Sequence, residues 1–371
     1  MTMRVVWVVH SLDRDTGTIL MQWVVPLLIE AGVAVDVLPL YPPSQPGLLS
    51  TVEGAAVLDP PIQGRFTAKL QISGVLRRAY HRYHRVIVDQ NLDLELKAVT
   101  AMGGVMGRAP LIMVAHVPLT EYLAARGEHN VGGQRRMIDA LYPKIDRIIT
   151  LSDAAATDLM EYHGVAKNRV VKVSVPLPIH QWQSEAQHPV PHPFLETDIP
   201  VISSLGHLEA LKGIEVLINA VRLVQDQSIP VKLLVMGDGP LRAQQEKLAA
   251  SLGVAALFPG WVQEWGAWLS RSKIFVAPQY FDGAGWDLYA AMSVGIPVIA
   301  TNAPHVSREI LSNGALGKIV SIGEPVALAE GIQKWLGNDR IRSAFALGGK
   351  QHARALDRDR VKGAWIDALV K

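Results

Sequence analysis

The sequence predicts an α/β chain of two successive doubly wound domains, each a parallel sheet with helices on both faces. Three observations carry this. The 371 residues exceed what one hydrophobic core usually supports. Short apolar runs, loops and amphipathic stretches alternate in the pattern of βαβ units. That pattern breaks at a proline-rich stretch, 176–200, and then restarts.

Composition sets the bounds. A content of 49% hydrophobic and 19% charged residues describes an ordinary globular chain with ample core material. The absence of cysteine removes disulfides, thiolate nucleophiles and zinc–thiolate sites, and fits a reducing, cytoplasmic setting. No apolar run has membrane-spanning length, and the start is too short and too soon charged to be a signal peptide. A net charge of +2 with a pI near 8.7 is too mild to imply nucleic acid. Any basic partner surface must therefore be local.

In chain order, Arg4–His10 reads as a strand, followed by a turn-rich loop to Thr18, a helix from Ile19 to Ala31 closed by Gly32, and a strand from Ala34 to Leu40. The loop holds one glycine, Gly17, so it is no dinucleotide fingerprint. Gly17 either makes the turn or lets the backbone approach a ligand. Residues 41–63 read as loop around one short strand. A helix is expected from Phe66 to Arg85, interleaving Arg77, Arg78, Arg82 and Arg85 with tyrosines and histidines. Such a face suits solvent, or an anionic membrane surface touched peripherally at its inner leaflet. Strands follow at 86–88 and 111–115 around a helix at 93–106. His116 ends the second of these strands, where a side chain can reach a bound ligand. A strand at 147–151, a helix capped by Ser152 and a strand at 170–175 complete the first domain.

The second half repeats the pattern: a strand at 200–205, a loop 206–213 with Lys212, a helix 214–225, and a strand 231–236 running into Gly237-Asp-Gly-Pro240. A helix 241–252, a short strand 256–258, the turn Pro259-Gly-Trp-Val262 and a helix 264–270 come next. Then strand 274–278 enters Asp282-Gly-Ala-Gly-Trp-Asp-Leu-Tyr-Ala-Ala-Met-Ser-Val-Gly295, followed by strand 296–300. This last βαβ unit points the N–H groups of a helix start at whatever binds beside the sheet edge, and an anion is the natural guest. Residues 307–336 supply two helices and one more strand, and the remainder is helical and charged. The expected boundaries are 1–178, a linker at 179–199, 200–345, and a last helical segment, 346–371, returning to the first domain.

Lys212 could neutralise a diphosphate, which leaves more readily once its charge is compensated. P-loop, HExxH and GxSxG motifs are absent, as is a carboxylate cluster with metal-ligand spacing.

The order of Gly206-His-Leu-Glu-Ala-Leu-Lys-Gly213, Met236-Gly-Asp-Gly-Pro240, Phe258-Pro-Gly-Trp-Val262 and Ala291-Met-Ser-Val-Gly-Ile-Pro-Val-Ile-Ala-Thr301 resembles retaining GT-B glycosyltransferases of glycosyltransferase family 4. Asp146-Arg-Ile-Ile-Thr-Leu-Ser152 and Lys167-Asn-Arg-Val-Val-Lys172 resemble the family's first-domain close. The resemblance covers nearly all of the second domain and, more thinly, the first. It implies a GT-B fold, with two Rossmann-like domains facing across a cleft. The implied reaction moves a hexosyl-type sugar, with retention and without a metal or resident cofactor, from a UDP- or GDP-type donor to a glycan, lipid-linked or small-molecule hydroxyl. In this reading Lys212 grips the donor diphosphate with the helix start after Gly285. Val262 offers backbone bonds to the base, the Gly17 loop closes over phosphates and acceptor, and His116 contacts the transferred sugar. Asp282 stands as the sugar-binding carboxylate. Gly206, His207, Gly239, Trp286, Asp287 and Ala290 complete the expected donor set.

Three positions depart from the family pattern: His207 stands for an arginine, and Asp282 and Ala290 stand for two glutamates. The missing Ala290 carboxylate removes a ribose ligand worth roughly 1.5–3 kcal/mol, so Ala290→Glu is expected to raise donor affinity. Asp287 is the substitute by type, although it would repel phosphate if it faced it. An alternative is a catalytically weak subunit serving another transferase as partner or scaffold. A nucleotide-sugar epimerase fits the motif order less well.

Overall fold

The computed structural model describes residues 2–12, 16–42, 52–60, 68–90, 94–102, 107–126, 131–281, 283–303 and 306–371. The chain divides into two compact units, 1–176 with 358–371, and 177–357.

The first unit is built on seven strands: β1 (Arg4–Val9), β2 (Ala34–Pro39), β3 (Ala56–Val57), β4 (Arg85–Asp89), β5 (Leu111–Ala115), β6 (Arg147–Thr150) and β7 (Val170–Lys172). All pair in parallel in the order β3-β2-β1-β4-β5-β6-β7. The inner strands are runs of valine, isoleucine and leucine because helices cover both faces, and β5 is buried at every residue. The strand order reverses between β1 and β4, so the loops leaving them part and open a crevice at the carboxyl edge. The helix Thr16–Glu30 ends at Gly32, whose positive φ of 80° suits glycine. Ser152 caps the helix Asp153–Tyr162 by accepting from Ala155 N at 3.1 Å.

The second unit repeats the topology with six strands: β8 (Val201–Leu205), β9 (Lys232–Met236), β10 (Ala256–Gly260), β11 (Ile274–Ala277), β12 (Val298–Thr301) and β13 (Lys318–Val320). They are parallel in the order β10-β9-β8-β11-β12-β13, with the reversal between β8 and β11. Ile214, Leu217, Ile218, Val221 and Val224 recur at helical spacing along the helix Ile214–Asp226, and all are buried in one core with Leu233, Val235, Ile274 and Val276.

Several boundaries differ from the sequence expectations. The helix expected over 66–85 is observed over Ala68–Arg82, and Arg85 already opens β4. Helices at Leu119–Arg126 and Val131–Leu141 were not foreseen. The stretch 179–199 lies within the second unit and holds the helix Ile179–Glu185. Its Glu185 Oε2 accepts from Gly266 N at 2.9 Å, and its proline content reflects turns rather than a free spacer. Of the C-terminal helices, Asp339–Arg354 lies in the second unit and Arg358–Val370 in the first. There the buried Trp365 donates its indole N–H to Ser174 O at 2.8 Å, while Arg147 Nη1 donates to Ala368 O at 2.8 Å.

Candidate functional site

In the second unit the loop after β8 is stitched across the reversal point. Its turn Ala210–Lys212 ends at Gly213, where φ is 67° and a Cβ would lie 2.2 Å from Pro278 O, so glycine is required for contact with the exit of β11. Tyr280 N donates to Leu211 O at 2.9 Å. This brings the Lys212 ammonium 2.6 Å from Asp287 Oδ2 and 3.1 Å from Gln279 Oε1. The Asp287 Oδ1 atom accepts from Leu288 N at 2.9 Å, inside the first turn of the helix Trp286–Ser293 that Gly285 opens. Asp287 therefore faces the lysine and helps hold the helix start at once.

A second stitch joins the loops after β8, β9 and β10. Gly206 N donates to Met236 O, Gly237 N to Gly260 O and Leu208 N to Asp238 O, at 3.0, 2.8 and 2.9 Å. A Cβ on Gly239 would stand 2.5 Å from Leu208 O, so Gly239 serves this backbone approach. Gly206 adopts φ 150°, and a Cβ there would meet Lys212 Cε at 2.8 Å. His207 is exposed.

Val262 is buried, and its carbonyl accepts from Trp265 Nε1 at 3.1 Å. Trp265 stacks on Trp286 at 4.8 Å between centroids and on Trp182 at 5.8 Å. The Val262 turn is thus coupled through aromatic rings to the helix start after Gly285. Ala290 is fully buried, and its carbonyl accepts from Ser293 Oγ at 2.7 Å. Its side chain sits in the core under the site. Asp282, the expected sugar-binding carboxylate, lies outside the described residues.

The first unit collects its own polar group where β4 and β5 end, beside Trp7 of β1. His116 is 5% exposed, with Nε2 3.0 Å from Asp89 Oδ1. Trp7 Nε1 donates to Asp89 Oδ2 at 2.7 Å. His116 N and Val117 N both donate to Gln90 Oε1, at 2.8 and 3.0 Å. Gly17 lies alongside: a Cβ there would be 3.1 Å from Asp89 Cγ.

Four of these residues, Trp7, Asp89, Gln90 and Gln279, escaped sequence reasoning. Asp89-Gln90 gave a usable signal, since polar residues directly after the apolar run Val86-Ile-Val88 stand at the carboxyl end of a parallel strand. Gln279 follows β11 in the same way.

The arginine-bearing helix resolves into two faces. Tyr80 and Tyr83 turn into the core, where Tyr80 donates to Ala98 O at 3.0 Å and Tyr83 to Asp36 Oδ2 at 2.5 Å. Burial pushes the Tyr83 hydroxyl up to about 12, helped by its bond to Asp36. Arg77, Arg78 and Arg82 remain exposed. Arg85 donates to Val370 O at 3.1 Å and to His84 O at 2.9 Å. Among the described residues no helix is long and apolar enough to cross a membrane.

Comparison with known proteins places these features in context. Residues 199–338 match the family model described as glycosyl transferases group 1. The chain is 27% identical over 175 residues to the lipopolysaccharide core biosynthesis glycosyltransferase LpsE of Rhizobium meliloti, covering 46% of this chain and 50% of LpsE. It is 20% identical over 266 residues to the N-acetylgalactosamine-N,N'-diacetylbacillosaminyl-diphospho-undecaprenol 4-alpha-N-acetylgalactosaminyltransferase of Campylobacter jejuni, covering 71% of this chain and 70% of that protein. The chain spans about half the length of several curated relatives it matches, as for LpsE at 50%. Among solved structures, Anabaena HepE in complex with UDP and glucose superposes with a TM-score of 0.80 at 15% identity, covering 99% of both chains. The fold is GT-B.

Proposed function

We propose that this chain, whose residues 199–338 match the family model of the group 1 glycosyl transferases, moves a hexosyl-type sugar from a nucleotide-diphosphate donor to a hydroxyl acceptor. The observation that carries this reading is the Lys212 ammonium held beside the helix start after Gly285, at the strand-order reversal of the second unit. A cation and a ring of helix N–H groups at one place suit a diphosphate as ligand and as leaving group.

In the proposed mechanism Lys212 binds the diphosphate and offsets the charge that builds as the glycosidic C–O bond breaks. Asp287 holds the ammonium in place before the donor arrives. With the Val262 carbonyl engaged by Trp265, the backbone N–H of that turn is the group left for the base. Asp282 is assigned to sugar hydroxyls on the motif order alone. Uridine diphosphate sugars are the donors to test first, because HepE was solved with UDP. Glycan, lipid-linked and small-molecule hydroxyls are the acceptor classes. We expect retention at the anomeric carbon and independence of divalent metal. The exposed Arg77, Arg78 and Arg82 suit peripheral contact with an anionic membrane on the cytoplasmic side.

The test is nucleotide release from a panel of nucleotide sugars, with and without candidate acceptors and with and without EDTA. Release that depends on both donor and acceptor supports the assignment. No binding and no turnover with any donor would sink it. The anomeric proton coupling of the product reports retention or inversion.

A further inference from the structure

One turn of the second unit has its carbonyls held by several separate segments, all within 177–357. β10 is the edge strand of its sheet, and its register against β9 slips between Leu257 and Gly260. Such a bulge disrupts the ladder locally. At the slip Arg242, the first residue of the helix Arg242–Ser251, donates from Nη2 to Phe258 O at 2.6 Å. Beyond it Gly260 O accepts from Gly237 N at 2.8 Å, and Val262 O from Trp265 Nε1 at 3.1 Å. Three alternate carbonyls of the turn are therefore fixed.

The two side-chain braces are themselves held. The Arg242 guanidinium also meets Asp238 Oδ2 at 3.2 Å and Glu246 Oε1 at 2.9 Å. Those carboxylates are 42% and 44% exposed, so the ion pairs contribute little stability and mainly aim the planar fork. Trp265 stacks on both Trp182 and Trp286, which fixes its ring plane and hence the direction of its N–H. What this bracing leaves over is a donor. Val262 is 7% exposed, yet among the described residues its backbone N–H has no acceptor. Backbone N–H groups of buried residues are nearly always paired, which argues that a ligand atom accepts from this one.

We propose that Arg242 and Trp265 are positioning residues that aim the Val262 N–H at an acceptor atom of the donor's nucleobase. This rests on the transferase reading above, which assigns the base to this turn. Each side chain acts through a carbonyl of the turn rather than by touching the nucleotide. A uracil ring offers suitable acceptors in its two carbonyl oxygens, whereas pyrophosphate has no base to present.

Calorimetric titration of the intact chain with UDP, and with pyrophosphate read by displacement of UDP, separates the turn from the diphosphate site. Trp265→Phe keeps a ring between Trp182 and Trp286 and removes the N–H, and Arg242→Met keeps the stem and removes the guanidinium. Each is expected to weaken UDP binding by roughly 3- to 10-fold while pyrophosphate stays within about twofold. Arg242→Lys should recover part of the loss, because an ammonium can still donate to Phe258 O. Equal losses for UDP and pyrophosphate would show a general structural role and overturn the proposal, as would UDP affinity unchanged in both variants. Should Arg242→Met fail to fold, Trp265→Phe is read for the same split. If the wild type binds no nucleotide, the transferase reading falls and takes the base assignment with it. Amide exchange across 260–262 then still decides whether Arg242 and Trp265 hold the turn: faster exchange in both variants is expected, and unchanged exchange overturns it.

Discussion

Lys212 Nζ lies 2.6 Å from Asp287 Oδ2, with side chains 11% and 6% exposed, so the cation assigned to the donor already carries its own counter-ion. An incoming diphosphate meets a nearly neutral pair and must draw the ammonium away from the carboxylate. Asp287→Asn is therefore expected to tighten UDP binding several-fold, on the order of 1 kcal/mol, as read by titration calorimetry. Weaker binding would make Asp287 a donor ligand. Lys212→Ala is expected to abolish transfer and to cost on the order of 3 kcal/mol of stability, because it strands a buried carboxylate. Lys212→Met with Asp287→Leu should recover stability in urea unfolding while remaining inactive.

Burial reverses the expectation for Ala290. Its Cβ is fully enclosed, so a glutamate there must be accommodated inside a packed core before it can reach any ribose. Ala290→Glu is expected to lose roughly 1–3 kcal/mol of stability through overpacking and to gain no donor affinity. Urea unfolding and UDP titration of the same preparation check both halves, and tighter UDP binding would restore the ribose-ligand reading.

The buried His163 gives a pH dependence with a defined sign. Burial alone would lower its pKa, but hydrogen bonds to Asp158 and Asp139 outweigh it and hold the imidazolium above 6.5. Asp158 is likewise held below its usual value: burial raises it, and the bonds from His163 and Thr120 prevail. A raised histidine contributes stability that is complete below the unfolded pKa of about 6.5 and is lost as pH rises through the higher folded value. The depressed Asp158 contributes above about 3.9, and its share is lost as pH falls through its folded value. His163→Gln should thus cost about 1–2 kcal/mol more near pH 6 than near pH 9, measured by urea unfolding at both. An equal cost at the two values would show that His163 is neutral.

Replacing Arg77, Arg78 and Arg82 together with serine is expected to weaken association with vesicles containing anionic lipid. The difference should vanish as salt shortens the reach of exposed charges to a few ångströms. Cosedimentation at low and high salt measures it, and equal binding by the two proteins would return this helix face to plain solvation.

How much of this was legible in the sequence depended on the range of the interactions. The strands announced themselves as valine- and isoleucine-rich runs, and Lys212 and His116 stood out by their position after such runs. Their partners did not. Asp287 is 75 residues from Lys212, and Asp89 is 27 from His116, so only the strand order brings them together. Ala290 lies in the second turn of the helix Trp286–Ser293, where spacing cannot separate a side chain turned to the ligand from one turned to the core. The stretch 179–199 read as a spacer because its prolines masked Trp182, whose burial depends on Trp265. The helix Val131–Leu141 was hidden by Gly132 and Gly133, which weaken helix propensity.

The division of the chain has a consequence for its synthesis. The second unit is one uninterrupted span, and its ends meet where Leu177 bridges Asp357. It can close as soon as it has left the ribosome. The first unit starts earlier and finishes later, because Trp365, Ala368 and Leu369 of the helix Arg358–Val370 become buried in it only after the whole second unit has been made. For that interval the surface awaiting Trp365 stays uncovered, so interrupted translation would leave the earlier-born half as the aggregation-prone one.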